Sequence, residues 1–204
     1  MLLYILTIGI AMLLVFFGNY MWFPLPEAMS LLKIILLDLM LPFLIVAWDG
    51  FSAVIVRRAL PEKWFTKDVK FHNVSKAECK FYELLGIKFW KDHVLELGMF
   101  TSFSKKTVAD PNDPAYVARF IMECNYGVQV HLWNLILAFL LPLFFPHDIA
   151  LRFILPAAIV NAVLSILPLM ILRYNVPRLK RLLVVLEKKA ARKVSENADQ
   201  KPSV

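Results

Sequence analysis

Residues 2–23 form an almost uninterrupted apolar run, and about 20 such residues in a helix rising 1.5 Å each cross the roughly 30 Å hydrocarbon layer of a bilayer. A chain in lipid has no water to satisfy its backbone, so it must close its hydrogen bonds within helices or a sealed barrel. Further apolar stretches at residues 31–56, 130–145 and 149–172 predict three more helical spans. The composition agrees, because 59% apolar residues and a mean hydropathy of +0.62 coexist with 23 Lys and Arg against 16 Asp and Glu. That combination describes an integral membrane protein with basic segments beside its spans. The same placement assigns the positive charge to anionic headgroups and not to nucleic acid.

Local signals set the ends of the spans. Pro24-Leu25-Pro26 stops the first helix, since each proline removes a backbone donor, and with no small-residue cleavage pattern after it the run reads as a retained span. Ser30 is suited to cap the second, which carries Asp38 and Asp49 at or near hydrocarbon depth. Packing polarity and a functional carboxylate are both open for Asp38, and the nearby Arg57 and Arg58 make Asp49 a candidate interfacial residue. Asp113 is positioned to cap a helix starting at Pro114 and running through Phe120 and His131. Pro142, Pro156 and Pro168 bend the last two spans, while Asn161 and Ser165, one turn apart, are placed to hydrogen-bond across the bundle.

Orientation follows from the cations. Twelve Lys and Arg fall in residues 57–129 and nine in 173–204, leaving only Lys33 and Arg152. Both basic segments are therefore expected in the cytoplasm, with four spans and both termini inside. Residues 57–129 read as a membrane-hugging region in which Phe81, Leu84, Leu85, Trp90, Val94, Leu95 and Leu97 recur at mostly helical spacing, interrupted at Gly86, a pattern that fits amphipathic helices lying on a bilayer and solvated helices packed on the spans equally well. Val176 precedes Pro177 and is biased away from helical angles, so the fourth span is expected to turn there into an interfacial amphipathic helix, residues 177–193, with a flexible tail at 195–204. Its stripe is Leu179, Leu182, Leu183, Leu186 and Ala190. Residues 1–194 thus make one all-α membrane domain. Cys79 and Cys124 lie in the cytosolic region and are expected as thiols.

The run Arg173-Tyr174-Asn175-Val176-Pro177-Arg178-Leu179 resembles the Arg-Tyr-Asn-Arg-Pro-Arg-Leu run of the glycosyl-4,4'-diaponeurosporenoate acyltransferases, bacterial membrane enzymes of the staphyloxanthin type of carotenoid pathway. The resemblance extends to Trp90-Lys91-Asp92 before the hydrophobic-acidic step Leu95-Glu96, and to Glu123 followed by His131. Val176 stands where the family has arginine, Leu132 where tryptophan is common and Ser165 where asparagine is usual. The resemblance implies transfer of a fatty acyl group to a sugar hydroxyl of a glycosyl carotenoid or related glycolipid in a bacterial cell membrane. A non-catalytic lipid-binding or assembly protein is the competing reading.

Ester formation needs a base for the hydroxyl proton and positive charge or amides for an anionic donor. His131 is the leading base because it sits where the long helix enters the membrane and imidazole titrates near neutrality. His93 is the alternative. Glu123 and His131 are eight residues apart, so on one helix they differ by about 80° and about 12 Å and form no direct pair. Arg119, one turn back, or a residue of another segment is the expected partner of Glu123. Arg173, Tyr174, Asn175 and Arg178, with Trp90, Lys91 and Asp92, are the expected substrate-binding set. No spacing suggests a metal site, no cofactor is expected, and acyl-CoA or an acyl carrier protein is the expected donor.

Overall fold

The computed structural model describes residues 2–22, 29–94 and 108–199, and every regular element among them is helical. In chain order these are α1 (Leu2–Phe17), α2 (Leu31–Ala59), α3 (Lys76–Leu84), α4 (Ile87–Trp90), α5 (Pro114–Leu137), α6 (His147–Ile149) and α7 (Leu155–Asp199). Short 3-10 segments join them at Glu62–Phe65, Lys70–His72, Lys91–His93 and Ala138–Phe144, and wider π turns at Gly18–Trp22 and Ala150–Ile154. The expected stop at Pro24-Leu25-Pro26, the Leu95-Glu96 step and Leu97 lie outside the described residues.

Three helical stretches, Leu31–Ala59, Pro114–Phe144 and His147–Arg192, are long and apolar enough to cross a membrane, and the apolar Ile5–Met21 is shorter. The chain is therefore a helical membrane protein. The local signals hold: Ser30 accepts from the Lys33 amide at 3.3 Å, and Asp113 accepts from the Ala115 amide at 2.9 Å. Both satisfy first-turn donors that have no partner within the helix.

The chain forms two compact units. The first comprises Met1–Leu60, Trp90–Leu95 and Val128–Leu169. Its core joins Ile34, Leu41 and Ile45 of α2 with Leu141, Phe153, Ile154 and Met29, while α2 turns Leu32, Met40, Phe43 and Val46 outward. A helix apolar on both its packed and its exposed faces suits a lipid surround.

Prolines shape this unit. Pro156 has no N–H to return to the Arg152 carbonyl, and Asn19 Nδ2 donates to that oxygen at 2.9 Å and to the Val15 carbonyl at 2.9 Å. Pro142 likewise offers no donor to the Ala138 carbonyl, and from Ala138 the chain tightens into the 3-10 segment. At that junction Trp48 Nε1 donates to the Leu137 carbonyl at 3.2 Å.

The second unit comprises Pro61–Phe89, Glu96–Gly127 and Met170–Val204. Phe65 stacks on Tyr126 with ring centroids 3.8 Å apart, and Asn125 Nδ2 donates to the Phe65 carbonyl at 2.7 Å. Gly127 admits the close approach of Leu172, since a Cβ there would lie 2.6 Å from Leu172 Cδ1.

Two expectations for the C-terminal region change. The helix does not turn at Val176–Pro177 but runs unbroken to Asp199, past the start of the expected tail. An interior proline costs about 3 kcal/mol, whereas burying one large apolar side chain stabilises by roughly 1.5–3 kcal/mol. Leu172, Tyr174, Val176, Leu179 and Leu183 are all buried, so packing outweighs the local preference of an X-Pro step. The apolar stripe also differs: Leu179, Leu183 and Leu186 are buried within the second unit, and Ala190 is exposed. Lys67 Nζ bonds Glu187 at 2.7 Å and Lys180 Nζ bonds Asn73 Oδ1 at 2.8 Å, tying this helix to residues 61–75.

Asn19→Leu removes the donor to the Arg152 carbonyl and should destabilise the protein by about 1–2 kcal/mol. Adding Pro156→Ala restores an amide there and should recover most of the loss. Thermal unfolding in detergent reads the cycle, and additive losses in the double variant would rule the relationship out.

Candidate functional site

In the second unit charged and tyrosine side chains gather on a seam joining α3 to α7. Ser75 Oγ accepts from the Glu78 amide at 3.0 Å, opening α3 with a Ser-x-x-Glu capping pattern. Gly86, at φ 70°, closes it, because a left-handed step disfavours any side chain.

Glu78 faces α7, where Arg173 meets it as a fork: Nε donates to Oε1 at 2.5 Å and Nη2 to Oε2 at 3.0 Å. Arg173 Nη1 also reaches the Phe71 carbonyl at 3.4 Å, and Nη2 reaches that of Asn73 at 3.5 Å. One guanidinium thus pins the segment before α3 and the first turn of α3 onto α7. The Tyr82 hydroxyl donates to Glu78 Oε1 at 2.5 Å. Arg173 holds the Glu78 carboxyl below its usual range, and burial followed by the bond to Glu78 pushes Tyr82 up to about 12.

One helical step along, the Tyr174 hydroxyl donates to Glu83 Oε1 at 2.7 Å and accepts from Arg178 Nη2 at 2.7 Å. The Arg178 guanidinium also lies 4.3 Å from the Tyr174 ring centroid, and Lys88 pairs with Glu83 at 3.0 Å. The Tyr174 hydrogen bond, with Lys88, draws the Glu83 carboxyl down. Asn175 is half-buried and Arg178 exposed, so Arg178 and Lys88 offer positive charge to the surroundings while Arg173 is committed to Glu78.

His72 is buried, at 2% exposure. Its Nε2 lies 3.1 Å from the Trp64 carbonyl oxygen, which fixes that nitrogen as the donor, and its Nδ1 is enclosed with no hydrogen bond among the described residues. Burial lowers its pKa, helped by the charges of Arg173 and Lys180.

The expected base lies in the first unit. His131 is half-buried on α5 with Nδ1 enclosed. Ser52 of α2 meets Asn134 of α5, and Trp48 meets the Leu137 carbonyl, so the two helices run antiparallel. That register sets His131 level with Val54 and Ile55, about one turn from Arg57. Asn161 Nδ2 donates to Asp49 Oδ1 at 3.0 Å, the cross-bundle bond expected of Asn161, and Ser165 is buried. Asp38 is buried, and its Oδ1 has no hydrogen bond among the described residues. Trp90 and Lys91 are half-buried, whereas Asp92 and His93 are exposed on the 3-10 segment Lys91–His93.

Glu123 accepts from Arg119 Nη2 at 2.7 Å, the local partner expected, and Arg119 Nη1 also reaches Glu62 at 3.2 Å. Cys79 and Cys124 remain thiols. Among the described residues no three His, Cys, Asp or Glu side chains are grouped to hold a metal.

Sequence reasoning missed Glu78, Tyr82 and His72. The Ser75-x-x-Glu78 pattern was available as a helix-start signal, but the arginine that Glu78 binds lies 95 residues away. Nothing local marked His72.

These features define a small helical membrane protein that carries a charged, tyrosine-lined seam between α3 and α7. More specifically, the family model for CrtO, glycosyl-4,4'-diaponeurosporenoate acyltransferase, matches residues 61–185, over half of the chain, and the chain belongs to that family. No curated protein and no solved structure matches the chain.

The seam makes stability depend on pH in a defined direction. The neutral His72 contributes fully above its ordinary pKa of 6.5, and this is lost as pH falls from 6.5 through the lowered folded value. The Glu78 contribution, full above 4.5, is lost as pH falls through its own lowered value. Acidification from pH 7 to 5 should therefore lower the unfolding temperature, less steeply in His72→Asn; equal slopes would discount His72. Glu78→Gln at pH 7 leaves the Arg173 charge unpaired and should cost about 2 kcal/mol in the same assay.

Proposed function

We propose that the chain is a membrane-embedded acyltransferase that esterifies a sugar hydroxyl of a glycosyl carotenoid or related glycolipid with a fatty acyl group. The observation that carries this reading is the family match over residues 61–185. The exposed apolar row Phe81, Leu84 and Phe89, beside Lys80 and Lys88, supports contact of α3 and α4 with the headgroup region. The cations of residues 57–129 and 173–204 support a cell-membrane topology of four spans with both termini cytoplasmic, Ile5–Met21 being the shortest span.

The donor is a thioester, acyl-CoA or acyl carrier protein, drawn to the basic face that includes Arg178 and Lys88. Within the second unit Tyr174 and Asn175 complete the binding set, and Arg173 holds the seam in register through Glu78; Trp90, Lys91 and Asp92 are the binding residues proposed for the first unit. His131 is the base, supported by its depth near Arg57, and Glu123 orders Arg119. The sugar oxygen attacks the acyl carbonyl carbon while its proton passes to His131. The C–S bond then breaks, and the imidazolium returns that proton to the leaving thiolate. His93, being exposed, is the second candidate for this step.

His131→Ala should cut ester formation at least about 100-fold with expression and membrane insertion intact, as general-base losses usually do. Mass spectrometry of glycolipids from cells with and without the protein reads the product. Normal transfer by purified His131→Ala would move the role to His93, and no change in any esterified lipid would favour a non-catalytic lipid-binding protein. Arg173→Lys, which cannot form the fork to Glu78, should lower turnover about 10-fold or more; full activity would reduce Arg173 to a simple charge anchor.

A further inference from the structure

Within the first unit, three spans converge on a polar cluster in otherwise apolar surroundings. Asn161 Nδ2 of α7 donates to Asp49 Oδ1 of α2 at 3.0 Å, and Ser52 Oγ donates to the Asp49 carbonyl at 2.9 Å while meeting Asn134 of α5. Ser52, Asn134 and Asn161 are all buried. Polar contacts of this kind hold membrane helices together, and helix packing accounts for those three residues.

It does not account for Asp49. An asparagine would serve the Asn161 contact equally well, yet the residue is a carboxylate, costly at a depth eight residues, roughly 12 Å, below Arg57. Its side chain is half-buried, and its second carboxylate oxygen receives no hydrogen bond among the described residues. Beside it, Gly50 is exposed, with nothing within 4 Å of where a Cβ would stand. Asp49 thus keeps an acceptor whose lone pairs are mostly unused, next to a helix position that the protein leaves uncovered.

We propose that Asp49, backed by Asn161, Ser52 and Asn134, binds the hydroxyl groups of an uncharged glycolipid headgroup. The chemistry selects that class. A carboxylate takes two donors from neighbouring hydroxyls and repels the phosphate of an anionic lipid, and a lipid without hydroxyls leaves it unpaired. Asp49 and Ser52 precede the segment matched by the family model, so this part of the cluster comes from outside the matched residues. The inference rests on reading the chain as a glycolipid acyltransferase only for the use made of the bound sugar; binding itself is measured without turnover.

The test uses the full chain in phosphatidylcholine nanodiscs, with monoglucosyl diacylglycerol, diacylglycerol and phosphatidylglycerol as probes and native mass spectrometry as the readout. The wild type should retain the glucosyl lipid at least 10-fold more tightly than either other lipid. Asp49→Asn, which keeps the acceptor for Asn161, should lose that preference with an unchanged unfolding temperature. Equal affinity for the three lipids, or full preference in folded Asp49→Asn, overturns the proposal. Should that variant unfold, carbodiimide labelling of wild-type Asp49 decides: protection by the glucosyl lipid supports the site, and equal labelling with and without it overturns it. Asp49-dependent binding without any acyl transfer would remove the enzymatic reading and leave this one standing. Normal transfer with an unchanged KM in Asp49→Asn would do the reverse.

Discussion

A backbone carbonyl deprived of its helical donor inside an apolar span has to be satisfied from elsewhere, and the architecture of the first unit depends on that requirement. Pro156 releases the Arg152 carbonyl, and Asn19, 133 residues away in sequence, supplies the replacement. Where the chain tightens before Pro142, Trp48 of α2 donates to the Leu137 carbonyl. At the Arg152 carbonyl a defect in one helix becomes a specific bond to another. Apolar packing alone would leave sliding and rotation of the spans weakly determined, because lipid tails are as apolar as leucine.

The second unit is held on a different principle. Arg173 and Glu78 form a two-point fork in which neither charge is fully exposed, and the Tyr82 hydroxyl shares the same carboxylate. A bidentate pair fixes orientation as well as distance, so α3 has one register on α7. The neighbouring Tyr174, Glu83, Arg178 and Lys88 extend that register into a surface where charge is still on offer.

Local features were legible in the sequence because their causes are local. The apolar runs, the caps at Ser30 and Asp113, the interruption at Gly86 and the Arg119–Glu123 pair all lie within a turn or a single helix. The break expected at Val176–Pro177 failed for the converse reason: a dipeptide preference competes with five buried side chains, and the burial is larger. The stripe on Leu179, Leu183 and Leu186 was visible, but amphipathic spacing does not say whether a bilayer or the protein covers it. Arg173 was expected to meet substrate, and nothing near it in sequence announced Glu78.

The sequence by itself determined that this chain is helical and membrane-bound and which segments carry positive charge, since composition and periodicity act over 20 residues or fewer. Only the tertiary structure decided which polar groups meet: Asn19 with the Arg152 carbonyl, Asp49 with Asn161, Arg173 with Glu78, and the enclosure of His72. Those contacts join residues far apart in the chain, and hydrogen bonds and ion pairs become selective only once burial has removed the competing water.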